Sequence, residues 1–250
     1  MFKLLGMTVV AALAIAAAVP SVLAKPVEQV SFTAKYTSKN RSKATGTLSL
    51  RTQFTIKDDV GGQLAPATRI LLRFPKGAST NGKGFPTCDA QKILDTIGKG
   101  CPKGSALGTG TASASAQPIV ANVNADVTLF NGKPSGGAQT IVVFAVPELG
   151  PNLALPSQLK KGSGPYGYVL DNAIPSIQTL PGAPNAALTG FDATVGAKPF
   201  KKGGKRIHYI TGPLVCNGTF FLLDGEFSYE GGITNTVYER FTLNGGPRCP

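Results

Sequence analysis

The chain has 250 residues, with 25 Lys and Arg against 13 Asp and Glu, a formal charge of +12. Its 31 Gly and 19 Pro, about one residue in five, disfavour long helices and favour strands joined by turns. A single His excludes two-His metal motifs, and 42% hydrophobic with 15% charged residues excludes a disordered chain and a charged helical bundle.

Residues 1–24 open with Lys3, continue through an apolar run from Leu4 to Val19, and end in small residues at Val22 and Ala24. This is the layout of a secretory signal cleaved after Ala24. As a membrane anchor the run falls short of the roughly 20 residues a span needs, and Pro20 interrupts it. Residues 25–250 are then expected to form one secreted domain with no transmembrane segment.

Residues 27–36 and 47–57 are the first expected strands, joined by a basic loop. In the second, Leu48, Leu50, Thr52, Phe54 and Ile56 share one face, and Ser49, Arg51, Gln53, Thr55 and Lys57 the other. That alternation predicts a half-buried antiparallel strand. Residues 70–74 are a further strand. Residues 89–97 read as one short helix, capped by Asp89 and stopped by Gly98. Strands follow at 108–117 and 120–130, with Asn131-Gly132 as a turn signal, and then at 140–146.

Residues 147–165, punctuated by Pro147, Pro151, Pro156 and Pro165, read as a long surface connection. Short strands are expected at 166–170, 188–195 and 206–210. Residues 219–229 and 233–243 flank Gly231-Gly232 as a terminal hairpin. About ten to twelve strands and one helix predict an all-β domain, a β-sandwich of which the jelly roll is one form. A split into two domains at the Pro-rich connection leaves each half few strands to bury.

Cys88, Cys101, Cys216 and Cys249 suit an oxidising compartment and allow three pairings. Cys88–Cys101 and Cys216–Cys249 are favoured because each brackets a compact unit: the short helix, pinned at both ends, and the terminal hairpin. Loop closure gives each bridge about 3 to 4 kcal/mol. Against zinc stand the lack of any C-x-x-C spacing and the single His, and no motif calls for another metal or a cofactor.

The candidate catalytic residues are Asp224 and Glu226, with Glu230 beyond them. Two carboxylates at i and i+2 on a strand stand about 7 Å apart, within the range of inverting glycosidases. The competing reading is a solvated face of an edge hairpin, with Gly225 as a bulge or turn. His208 lacks a G-x-S-x-G partner and reads as a sheet-edge side chain. Gly108-Thr109-Gly110-Thr111 lacks the third Gly and following helix of a phosphate loop, and reads as small residues permitting close packing.

The candidate binding residues are Lys39, Arg41 and Lys43 in the first basic loop, and Lys201, Lys202, Lys205 and Arg206 in a later one. They read either as solvated turns or as a surface for an anionic cell-envelope polymer. Phe200 is the single aromatic within these clusters, which disfavours nucleic acid.

Two neighbourhoods carry a resemblance. Pro86-Thr87-Cys88 with Cys101-Pro102-Lys103-Gly104-Ser105-Ala106-Leu107-Gly108-Thr109-Gly110-Thr111-Ala112 resembles a P-x-C … C-P-x-x-S-x-x-G-x-G-x-A pattern. Cys216-Asn217-Gly218-Thr219-Phe220, then Phe227-Ser228-Tyr229-Glu230-Gly231-Gly232 and Arg248-Cys249, resembles a terminal cysteine-closed hairpin. Both are similar to a group of secreted actinobacterial proteins of β-sandwich-like fold. Phe220 departs from that pattern where Trp is expected, and so does Gly225 inside the strand. The resemblance implies a fold and an export route, and no activity.

The sequence thus favours a secreted, non-catalytic structural or binding module at or outside the cell envelope, with an anionic envelope polymer as partner. A hydrolase using Asp224 and Glu226, and a structural component with no specific ligand, are the alternatives.

Overall fold

β1 (Pro26–Asn40) and β2 (Thr45–Asp58) pair antiparallel from Pro26↔Asp58 to Asn40↔Thr45. The chain continues through β3 (Ala67–Pro75), β4 (Ser79–Thr80) and α1 (Ala90–Thr96). A meander follows: β5 (Ala106–Ala116), β6 (Val120–Ser135), β7 (Ala138–Pro147), β8 (Leu153–Lys161) and β9 (Tyr166–Ala173). Then come β10 (Ala187–Val195), the small hairpin β11 (Phe200–Lys202) with β12 (Lys205–Ile207), β13 (Ile210–Pro213), β14 (Phe220–Tyr229) and β15 (Thr234–Asn244). This computed structural model describes residues 25–40, 45–60, 62–178, 184–196, 198–215 and 219–244. The expected signal and Arg41, Lys43, Cys216 and Cys249 lie outside these residues, and with them the proposed Cys216–Cys249 bridge.

The sheet order runs β1-β15-β14-β3-β9-β8-β7-β6-β5-β10-β2, and β2 pairs back onto β1. The all-β expectation holds, but in place of two stacked sheets the strands form one closed eleven-stranded barrel. Alternation of apolar and polar residues specifies that one face is buried. It does not specify whether that face meets a second sheet or curls round to meet itself.

Closure depends on β1 and β15, the one parallel pair in the barrel, whose ladder is confined to Ala34↔Leu243 and Lys35↔Asn244. Farther along this seam side chains replace the ladder. Asn235 Nδ2 donates to Pro26 O at 2.9 Å and to Glu28 Oε1 at 3.0 Å, and the Tyr229 hydroxyl also donates to Glu28.

Three local expectations change. Residues 153–161 form β8, not a connection. Pro156 is tolerated because it lies outside the β8–β9 ladder, which begins at Gln158, so its missing N–H costs no bond on that side. Asn131-Gly132 lies inside β6, and the turn is made five residues later by Gly136 and Gly137, both at positive φ. The strand expected at 206–210 is broken between Ile207 and Ile210, where Tyr209 turns inward and is buried.

Helix α1 forms as expected: Asp89 Oδ1 accepts from Gln91 N at 3.0 Å, and Ile97 and Gly98 end it at positive φ. It packs outside the barrel, where Ile93 meets Phe130, Val142 and Phe144 on the outer faces of β6 and β7. Cys88 and Cys101 are bonded, with Cα atoms 5.4 Å apart, and join the two ends of the helical segment, while Cys88 N donates to Asn131 O of β6 at 2.8 Å. Among the described residues no helix is long and apolar enough to cross a membrane.

Candidate functional site

On most strands parity sends apolar side chains inward and polar ones outward; on the outer face Phe130, Val142 and Phe144 lie under α1, and Phe220, Leu222 and Tyr238 are exposed on β14 and β15. On β2 the two faces are those expected, with Phe54 and Ile56 buried and Arg51 and Lys57 exposed. Eleven strands enclose more space than the roughly eight whose side chains fill a barrel.

Aromatic residues fill one part of the interior. Phe32 meets Phe241 edge-on at 4.6 Å, and Phe54 contacts Phe191 at 5.3 Å and Phe227 at 5.4 Å. From β10, which carries Phe191, through the neighbouring strands β5, β6 and β7, the inward positions include Ala193, Ala112, Ala125 and Ala145. These small side chains leave a cavity of about 290 Å³. β5 also lies close to β10, because a Cβ on Gly108 or Gly110 would collide with the carbonyl oxygens of Thr194 and Asp192. The close packing expected of that glycine pair is therefore present.

The cavity runs along the barrel axis. Lys76, Gly77 and Pro213 border it at the end where β1, β3 and β10 finish, and Leu149, Pro151 and Ile177 border it at the other. At the first end Tyr209 lines the lumen, and loop residues 81–86 pack against it. Phe85 stacks edge-on against Tyr209 at 5.5 Å, and Gln139 binds both Tyr209 and Thr80. Burial pushes the Tyr209 phenol well above its ordinary pKa, so it is neutral at physiological pH. At the far end Leu64, Ala65 and Tyr229 pack together, and burial and then Glu28 push the Tyr229 phenol up.

The lumen wall is nearly all hydrocarbon. No acidic side chain lines it among the described residues, and Lys76, exposed at the rim, is its one cation. Polar side chains interrupt the wall at Thr52, Ser113, Tyr168, Asn172 and Ser157. Asn172 Nδ2 donates to Ile70 O at 2.9 Å, and Ser157, 1% exposed, has no hydrogen-bond partner for Oγ among the described residues. Such a wall suits apolar molecules with little polar character.

Asp224 and Glu226 lie outside the lumen, on the outer wall of β14. Arg73 of β3 binds both, Nη1 to Asp224 Oδ1 at 2.5 Å and Nη2 to Glu226 Oε2 at 2.6 Å, and Tyr166 donates to Asp224 Oδ2 at 3.2 Å. The strand is unbroken at Gly225, which faces the interior beside Phe227. The same wall continues the charge pattern: Arg69 binds Asp171 of β9 at 2.8 Å, and Lys160 of β8 reaches the same carboxylate at 3.0 Å. These contacts hold the Asp171 carboxyl at about 2, Arg69 contributing most. His208 lies between β12 and β13; burial, then the charge of Arg206, lowers its pKa.

Lys201, Lys202, Lys205 and Arg206 are brought together, all exposed, on the β11–β12 hairpin around Gly203-Gly204. Lys39 is exposed at the end of β1, at the same end of the barrel, since β1 and β10 run in the same direction. Arg41 and Lys43 lie outside the described residues. Among the described residues no group of three or more His, Cys, Asp or Glu is placed to hold a metal.

The lumen was not among the sites expected from sequence. Its signal is the set of inward alanines on adjacent strands, legible only once strand order places them side by side. No protein-family model matches the chain, and neither a curated protein nor a solved structure matches it.

Proposed function

We propose that this is an exported, non-catalytic binding protein that holds a small apolar molecule inside its barrel. The observation that carries the reading is the cavity of about 290 Å³, lined almost wholly by hydrocarbon, inside the closed barrel. An apolar cavity of about 150 Å³ accommodates benzene, so a ligand of about twice that size, on the order of twelve non-hydrogen atoms, matches this one. Packing over such a volume is worth on the order of 7 kcal/mol, at about 24 cal/mol per Å³, and a ligand that fits the walls recovers part of it.

The binding of both Asp224 and Glu226 by Arg73 supports a non-catalytic reading, because these carboxylates serve the outer wall. The basic hairpin and Lys39 support an anionic envelope polymer as partner at that end of the barrel. Export through residues 1–24 and kinship with the secreted actinobacterial group belong to the same proposal.

Titration with an environment-sensitive apolar fluorophore tests the ligand reading. One saturable site, emptied by hydrocarbons of about twelve carbons, is expected; fluorescence that rises without saturation overturns it. Retention on an anionic glycan should weaken from low to high salt, and salt-indifferent retention removes that partner.

A further inference from the structure

We infer that Ser157 is the hydrogen-bonding anchor of the lumen ligand, and that this ligand is a neutral, mainly hydrocarbon molecule with one polar group, a medium-chain alcohol being the simplest case. The inference rests on the lumen-binding reading and specifies its ligand class.

The inward positions of β8 read Leu153, Leu155, Ser157, Leu159, so a single hydroxyl interrupts a row of leucines. Ile141 lies directly opposite Ser157 on β7. On the β9 side, Asn172 is reached by stepping one residue along each strand from the Gln158↔Asp171 pair. Ser157 is 1% exposed, lines the cavity, and its Oγ meets no donor or acceptor among the described residues. A buried hydroxyl facing hydrocarbon is costly unless something hydrogen-bonds to it. The next inward position on either side is leucine, so the chain does not supply that partner from its own strand. A polar group on the ligand does.

The wall also sets the charge of that group. With no acidic side chain in the lining and its one cation at the rim, an ionised headgroup at the depth of Ser157 would be desolvated without a counter-charge. A hydroxyl or ester oxygen avoids that penalty and bonds a serine hydroxyl directly.

The test measures displacement of the fluorophore by 1-decanol, decanoate and n-butylbenzene from the wild type, Ser157→Ala and Ser157→Thr. In the wild type, decanol should bind at least tenfold more tightly than decanoate. Ser157→Ala should weaken decanol by about threefold to tenfold and leave n-butylbenzene unchanged, and Ser157→Thr, which keeps the hydroxyl, should restore most of the decanol affinity. Equal losses for both neutral ligands in Ser157→Ala, or no loss for either, overturn the anchor while leaving lumen binding in place. Decanoate binding as tightly as decanol overturns the neutral class. Failure of the wild type to bind any of the three overturns the anchor together with the reading beneath it.

Discussion

Asn131 Nδ2 donates to Phe85 O at 3.1 Å, tying the loop that packs against Tyr209 at one end of the lumen to a buried residue of β6. The same amide lies 3.0 Å from Gly82 O and 3.2 Å from Pro86 O; the Asn131 backbone carbonyl separately accepts from Cys88 N at 2.8 Å. One buried side chain therefore holds this loop in place. Asn131→Ala should lower stability by about 2 to 3 kcal/mol, since the Phe85 and Pro86 carbonyls lose this donor in a closed site, while Gly82 O keeps Phe85 N. Asn131→Asp should cost as much, because a carboxylate only accepts. Urea unfolding measures the loss, and hydrogen exchange should speed up at residues 82–88. A change below about 0.5 kcal/mol would contradict this role.

Arg73 neutralises two carboxylates on the outer wall, and the Asp224 side chain is only 7% exposed. Arg73→Gln should destabilise by about 2 kcal/mol, less than a fully buried pair would lose because the guanidinium itself reaches solvent. Replacing all three charges, with Asp224→Asn and Glu226→Gln added, should cost less than Arg73→Gln alone. Lumen binding of the fluorophore should be unaffected in each variant, as these groups face away from the cavity. Chemical unfolding and the same titration check both halves.

The Asp171 carboxyl is held at about 2, against 3.8 ordinarily, first by the Arg69 hydrogen bond and also by Lys160. A carboxyl with a depressed folded-state pKa stabilises the fold above its unfolded value, and that stabilisation disappears as pH falls towards the folded value. Asp171→Asn should therefore cost about 1 kcal/mol at pH 7, the modest size reflecting partners that are half exposed. The gap between wild type and variant should close between about pH 4 and pH 2. Urea midpoints across that range test it, and a gap that stays constant would refute it.

Much of the wall was legible in the residues. The alternation on β2, the Asp89 cap, the Cys88–Cys101 bridge and the hairpin around Gly231-Gly232 all follow from local chemistry. What failed involves partners far along the chain. Pro156 reads as a strand breaker until the limits of the β8–β9 ladder are known, and Asn131 reads as a turn residue until its carbonyl partners are seen. The Asp224 and Glu226 parity was correct, but Arg73 lies about 150 residues away in sequence, so their engagement left no local trace. The lumen depends on closure of β1 onto both β2 and β15, which no single strand encodes.

The central claim is that the barrel interior is a ligand site, and filling it is the most direct test. Ala125→Phe and Ala145→Phe each place a ring into the cavity from adjacent strands. Fluorophore affinity should fall at least tenfold in both, while a control on the outer face, Thr55→Val, binds as the wild type does. Thermal unfolding should show the filled variants folded, since the added rings occupy existing space. Filled variants that remain folded and bind with unchanged affinity would place the probe elsewhere and contradict the account.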